Sequence, residues 1–300
     1  MSPSCLHFFK YSQPHAWRVF LFFVVALPLS AADNHRWSTD DLKHSSVSEK
    51  PVFEQGRRPD SLFSRDYVNL LADDTRAILT APLRWDRRDW LMAGGLTSLV
   101  VASTAADSMI REESQENITP QLHTFTKNAQ RFGAEGSWLV LGAFEAYGYL
   151  AEDTKAKAVA MDGLTASVIS AGIITPLMKF TVGRVRPNAS DRTFDFKPFS
   201  GNYSFPSGHT TQAFAVSSVI AAHYDQWWVQ GLSYGLAGVV GYSRVEQNSH
   251  YASDVVAAAI IGTAVGRTIV KRHNKTKEGA FTVTPYFDGQ GSGLVFSKIF

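Results

Sequence analysis

The sequence predicts an all-α protein, a bundle of about six core helices followed by a short hairpin-like tail. After Asp86 the chain alternates between apolar segments rich in Ala, Gly, Ser and Val and connectors that carry most of the charge. Apolar segments of this length between polar boundaries indicate packed helices. The predicted core helices lie within residues 90–106, 136–151, 161–180, 208–223, 229–242 and 252–270.

The N-terminus is typical of a secretory signal peptide over residues 1–32. Two cations precede an apolar run at residues 19–29, and small residues follow up to a predicted cleavage after Ala32. An uncleaved membrane anchor is the alternative. The single cysteine, Cys5, lies in this segment, so the mature chain is expected to contain no disulfide and no cysteine-based metal site.

The predicted domain occupies residues 89–273, and segments of different composition flank it on both sides. Residues 33–88 read as a polar leader that ends in an amphipathic helix from Ser61 onward. Residues 274–300 read as a basic linker and a hairpin-like tail, because apolar residues alternate on both sides of the turn sequence DGQGSG.

Composition leaves membrane insertion open and gives no indication of nucleic acid binding. None of the apolar segments is an unbroken run of about 20 residues, the length that a spanning helix needs. The mean hydropathy of −0.10 is low for six spans, yet small residues are typical of closely packed membrane helices. The formal net charge is +2, and no basic block is long enough to follow a nucleic acid backbone.

Two groups of polar residues stand at predicted helix ends. Lys179 and Arg186 are seven residues apart, close to two helical turns, so both cations can lie on one face. In "PSGH", Ser207, Gly208 and His209 open an apolar helix, whose first N–H groups attract anions. Alone, each group is more typical of an ordinary solvated or capped helix end.

A third group supplies a paired histidine and aspartate. Arg244 is followed six residues later by His250, and Asp254 comes four residues after that histidine. On a helix these last two are neighbours, so the carboxylate can hold one ring nitrogen and leave the other free as a nucleophile or base. A surface pair at a helix start is the alternative. Together, the three groups predict a site for a tetrahedral oxyanion.

The three groups resemble the signature of the type 2 phosphatidic acid phosphatase superfamily. That superfamily also contains bacterial non-specific acid phosphatases and vanadium haloperoxidases. Its pattern is K-x6-R-P, then P-S-G-H, then S-R-x5-H-x3-D, and every position matches between Lys179 and Asp254. The resemblance extends over roughly residues 90–270 and leaves out the leader and the tail.

The resemblance implies a phosphatase that uses no metal and no other cofactor. It implies that Lys179, Arg186 and Arg244 hold the phosphoryl oxygens. The backbone N–H groups of Ser207 and Gly208 are expected to add donors to the same oxygens.

The resemblance also implies a division of labour among the catalytic residues. His250 is expected to attack phosphorus and form a phosphohistidine. Asp254 is expected to fix the tautomer of that histidine, and His209 to protonate the leaving oxygen. Positioning and charge neutralisation are the main demands of phosphoryl transfer, and three fixed cations meet the second.

The substrate stays open between two classes. One is a phosphorylated lipid such as phosphatidate, phosphatidylglycerophosphate, undecaprenyl pyrophosphate or a lipid A phosphate, and the other is a small ester for a soluble periplasmic acid phosphatase. A vanadate-dependent haloperoxidase and a non-catalytic binding protein are further alternatives. Six crossings after a cleaved signal would put the site in the cytoplasm, whereas the basic cluster at 271–277 puts it outside. We expect an exported protein with its site on the periplasmic side, and the sequence leaves open whether the domain is periplasmic, associated with the membrane or embedded in it.

Overall fold

The computed structural model of the protein describes residues 57–274 and the backbone of two strands at 281–288 and 291–298. The predicted signal peptide, most of the leader and most of the basic linker lie outside the described residues. Within residues 57–274 the chain is helical, which confirms the all-α prediction.

Ten α-helices are present in the described part of the chain. They are α1 (Arg65–Leu79), α2 (Arg87–Ser103), α3 (Asp107–Glu116), α4 (Pro120–Ala129), α5 (Glu135–Leu150), α6 (Thr154–Ser167), α7 (Thr175–Val182), α8 (Gly208–His223), α9 (Trp227–Glu246) and α10 (Ala252–Asn274). A π-helical stretch at Val168–Ile174 joins α6 to α7. The six predicted core helices correspond to α2, α5, the joined α6 and α7, α8, α9 and α10.

Two details differ from the predicted elements. The amphipathic helix begins at Arg65 instead of Ser61, because Ser64 is its N-cap and accepts a hydrogen bond from the Tyr67 N–H at 3.1 Å. The charged connector after α2 forms α3 and α4, of which α4 starts with Thr119 as cap and Pro120 in its first turn. Both are short and largely polar, so they lack the apolar periodicity that marks the core helices.

The tail forms two antiparallel strands, β1 (Phe281–Asp288) and β2 (Gly291–Lys298). Their register pairs Phe281 with Lys298 and Asp288 with Gly291.

Helix α8 lies at the centre of the bundle, and α10 packs tightly and in parallel along it. A Cβ atom added to Gly262 would lie 2.5 Å from the Thr211 carbonyl oxygen, and one added to Gly266 would lie 2.1 Å from the Ser218 Oγ. Only glycine allows so close an approach. The two helices therefore begin side by side, and their N-termini meet at one end of the bundle.

A buried charged cluster closes the opposite end of α8 and α10. The fully buried Asp162 of α6 accepts hydrogen bonds from His223 at 2.8 Å and from His273 at 2.6 Å. It also binds Arg58 through both carboxylate oxygens, at 2.9 and 2.6 Å, and the second ring nitrogen of His273 contacts Asp74 at 2.6 Å. This cluster binds α1 and the segment before it to the bundle. It lies at the C-terminal end of α8, which is about 24 Å along the helix from its start.

Among the residues that the structure describes, two helices are long and apolar enough to cross a membrane. They are Thr154–Val182 and Ala252–Asn274, and 67% and 61% of their apolar windows are buried inside the protein. Large apolar side chains are exposed on other helices: on α2, where no residue is buried, on α5 and at the start of α9. They include Trp90, Leu91, Met92, Trp138, Leu139, Tyr149, Leu150 and Trp227. Apolar surface of this extent supports membrane association.

Candidate active site

The predicted site residues meet where the N-termini of α8 and α10 face the C-termini of α7 and α9. The Ser207 N–H donates to the Asp254 carbonyl oxygen at 3.2 Å, which joins the starts of α8 and α10. A Cβ atom on Gly208 would lie 4.0 Å from the Cε of Lys179, at the end of α7. The residues gathered here are Lys179, Arg186, Ser207, Gly208, His209, Arg244, His250 and Asp254.

Three cations surround this point without a salt-bridge partner among residues 57–274. The Lys179 Nζ donates to the Tyr203 carbonyl oxygen at 2.6 Å, and Arg186 is exposed. Arg244 is only 7% exposed, and its guanidinium contacts two neutral side chains, Gln130 and Gln247. Its Nε is buried without a hydrogen-bond partner. A buried guanidinium beside two further cations needs an anion to balance it.

A tight turn after α7 brings Arg186 to the site. Gly183 ends α7 with a φ of 59°, and a Cβ atom there would lie 1.9 Å from the Lys197 carbonyl oxygen. No other residue fits this position, because the left-handed backbone and the close contact both exclude a side chain. The chain then runs antiparallel to the segment around Phe196, to which Arg184 is bridged.

The start of α8 presents backbone N–H groups, but the Ser207 N–H is not available to a phosphate as predicted. Because the Ser207 N–H is engaged with the Asp254 carbonyl, it does not point to a phosphate in this geometry. The Ser207 hydroxyl accepts a hydrogen bond from Thr210 at 2.9 Å and makes no cap to the helix. The N–H groups of Gly208 and His209, in the first turn of α8, are therefore the backbone donors that we expect to serve this role.

His250 and Asp254 lie side by side, as their spacing predicts. The His250 side chain is buried, and its Nδ1 lies 3.6 Å from the Asp254 Oδ2, which is longer than a hydrogen bond. The Nδ1 has no hydrogen-bond partner in the described structure. Catalytic hydrogen bonds are often long before substrate binds and shorten in the complex.

Asp254 is held by residues that sequence reasoning missed. Its Oδ1 accepts from the Arg184 Nη1 at 2.7 Å, and its Oδ2 accepts from the Ser204 hydroxyl at 2.6 Å and the Tyr251 N–H at 3.0 Å. Arg184 is fully buried and also donates to the Asp107 Oδ2 at 2.8 Å. Arg184 could have been considered from the sequence, because it lies inside the K-x6-R-P block. No pattern in the connector distinguishes Asp107 from its charged neighbours.

Burial keeps both site histidines neutral near neutral pH. Burial lowers the pKa of His250 to about 4, despite the opposing effect of Asp254. Burial and then the positive charge of Arg244 lower the pKa of His209 to about 4. A neutral His250 suits attack on phosphorus. His209 would gain its proton as a bound phosphate offsets the nearby cations, because negative charge favours the imidazolium.

These pKa values predict the acid side of the pH profile. We expect kcat/KM for phosphate release to fall as the pH drops through about 4, since protonation removes the lone pair of His250. Activity assays at constant ionic strength across acid and neutral pH measure this limb. A fall centred near the ordinary histidine value of about 6.5 would contradict the assignment if it remains after correction for the ionisation of the phosphate ester, whose second pKa is about 6.

Comparison with known proteins finds a family match within the helical part of the chain. Residues 163–278 match the family model of the PAP2 superfamily, so the chain contains a PAP2 superfamily domain. The matched range contains every predicted site residue. This result confirms the resemblance drawn from the three sequence blocks.

Several relatives are lipid phosphatases by name. A lipid A 1-phosphatase of Rhizobium etli is 34% identical over 104 residues, which cover 33% of this chain and 44% of that protein. Lipid phosphate phosphatase 2 of Arabidopsis thaliana is 26% identical over 66% of this chain and 80% of its own length. The chain spans 18% to 44% of the length of the lipid A 1-phosphatases that it matches.

Among solved structures, the crystal structure of Aquifex aeolicus LpxE aligns with a TM-score of 0.43 at 22% identity. The alignment covers 54% of this chain and 93% of that one.

Proposed function

We propose that the protein is a metal-independent phosphatase that hydrolyses phosphorylated lipids through a phosphohistidine intermediate. The observation that carries this proposal is the set of three cations without a salt-bridge partner among residues 57–274. They converge on the start of α8, where backbone N–H groups add further donors. An anion with several oxygens, such as a phosphoryl group, satisfies all of these groups at once.

The proposed reaction has two displacements at phosphorus. The Nε2 of His250 attacks phosphorus while the bond to the leaving oxygen breaks, and His209 gives that oxygen its proton. Water then attacks phosphorus, His209 takes a proton from that water, and the bond to His250 breaks to release phosphate. Lys179, Arg186 and Arg244 neutralise the oxygens throughout.

A lipid substrate is favoured over a small soluble ester. Relatives named lipid A 1-phosphatase, lipid phosphate phosphatase and undecaprenyl-diphosphatase match this chain. The exposed apolar side chains of α2 and α5 would allow the protein to reach such substrates in a membrane. A soluble periplasmic acid phosphatase is the second candidate within this chemistry.

We place the proposed site on the periplasmic side of a bacterial envelope. The predicted signal peptide supports export. The site lies at the first turn of α10, and the basic residues Lys271 and Arg272 lie in its last turn. If α10 crosses the membrane, the positive-inside rule favours a cytoplasmic position for that basic end.

The test is phosphate release from the purified protein with lipid and soluble substrates in parallel. We expect phosphatidate, a lipid A phosphate or undecaprenyl pyrophosphate to be hydrolysed at least about tenfold faster than p-nitrophenyl phosphate. A chelator should leave the rate unchanged. Equal rates on the soluble ester would favour the second candidate, and vanadate-dependent bromide oxidation without phosphate release would replace the phosphatase proposal.

A further inference from the structure

An apolar cavity that the proposed reaction does not use lies between α5, α8 and α9. Its volume is about 500 Å³, within the range of small-molecule sites of about 300 to 1,000 Å³. None of the residues that line it is charged. Its walls include Phe132, Val140, Phe144, Val216, Ile220 and Leu236.

One end of this cavity lies one helical turn from the proposed phosphate site. On α8, the lining residue Ala213 comes one turn after His209, and on α9, Val240 comes one turn before Arg244. A Cβ atom added to Gly133 would lie 2.5 Å from the His209 carbonyl oxygen and 2.7 Å from the Val240 Cγ1. The same short segment therefore borders the cavity and the site.

The cavity extends from there along α8 and opens at its side. Lining residues on α8 run from Ala213 to Ile220, which corresponds to about 10 Å of helix, and Tyr224 lines the cavity just past the end of α8. Trp228 and Leu236 also line it and are 57% and 43% exposed, so one wall is accessible from the surroundings. A long, narrow and apolar space with a lateral opening suits a flexible hydrocarbon chain better than a polar ligand.

We propose that this space, the tail cavity, binds the hydrocarbon chain of the substrate while the phosphate lies on Lys179, Arg186 and Arg244. The chain is acyl or isoprenyl, since both present the same apolar surface. This inference rests on the proposed function and adds how the protein distinguishes a lipid phosphate from a soluble one. The lateral opening lets the chain enter sideways from a membrane.

Filling the tail cavity provides the test. Ala237 is 1% exposed and lines the cavity from α9, so Ala237→Phe places a ring inside it. We expect the ratio of kcat/KM for long-chain phosphatidate to that for p-nitrophenyl phosphate to fall at least about tenfold. Ser233→Phe, from a second position on α9, should lower the same ratio. The matched control is Ala72→Phe on the exposed side of α1, which should leave the ratio unchanged.

Substrates with hydrocarbon chains of different length and type test the tail cavity further. In the wild-type protein kcat/KM should rise with acyl length, and in Ala237→Phe this dependence should flatten. An isoprenyl phosphate measured alongside shows which chain type loses more. A folded filling variant with the wild-type ratio and length dependence overturns the tail cavity. Absence of phosphate release by the wild-type protein from every substrate would instead overturn the phosphatase proposal.

Discussion

Replacing His250 with alanine should abolish phosphate release and leave the fold intact. The proposed reaction has no other nucleophile, so we expect turnover to fall by at least about a thousandfold. Stability should suffer less, because the Nδ1 of this buried ring has no hydrogen-bond partner to lose. We expect the free energy of unfolding to drop by about 1–3 kcal/mol, the ordinary range for a buried substitution. Phosphate release and denaturant unfolding of the same preparation measure both quantities.

His123→Ala is the matched control for this variant. The His123 side chain is half-exposed and pairs with Glu246 at 3.0 Å, outside the proposed site. It should retain turnover, since it contacts none of the three cations. Quenching with alkali during turnover adds a direct observation, because the P–N bond of a phosphohistidine survives base but not acid. Only a chain with His250 should then carry phosphate on a histidine. If His250→Ala still releases most of the phosphate, the nucleophile is wrongly assigned.

The features predicted from sequence are those that local patterns encode. Helical segments follow from apolar runs with polar ends, so α5, α8 and α10 were placed within a few residues of their observed bounds. The residues of the site follow from spacing, since i and i+4 on a helix bring His250 and Asp254 together. The close parallel packing of α8 on α10, which joins the blocks in space, was not predicted, although Gly262 and Gly266 are visible in the sequence.

The features that were missed depend on contacts between distant parts of the chain. Arg184 meets Asp107, which is 77 residues earlier, and Asp162 meets Arg58, which is 104 residues earlier. Charged residues in connectors usually face solvent, so neither pattern nor propensity distinguishes a buried ion pair from a surface one. The engagement of the Ser207 N–H could not be predicted for the same reason, because its acceptor is the backbone carbonyl of Asp254 on another helix.

Arg184→Met should cost both stability and turnover. Arg184 is the only described cation in salt-bridge contact with Asp107 and Asp254, at 2.8 and 2.7 Å. Burial already raises the pKa of Asp107, so without the guanidinium this carboxyl should take up a proton. Breaking a buried ion pair from one side typically costs about 3–5 kcal/mol. Turnover should fall because Asp254 loses one of the contacts that fix it beside His250.

A double variant separates the positioning role of Arg184 from its contribution to stability. Replacing both members of one pair, as Arg184→Met with Asp107→Leu, removes the buried carboxyl group that has lost its cation and should recover part of the unfolding free energy. Turnover should stay low, because Asp254 still lacks its cation. Arg192→Met, on an exposed side chain of the same loop, is the control and should change stability by less than about 0.5 kcal/mol. Recovery of turnover together with stability in the double variant would show that Arg184 acts on the fold alone and does not position Asp254 for His250.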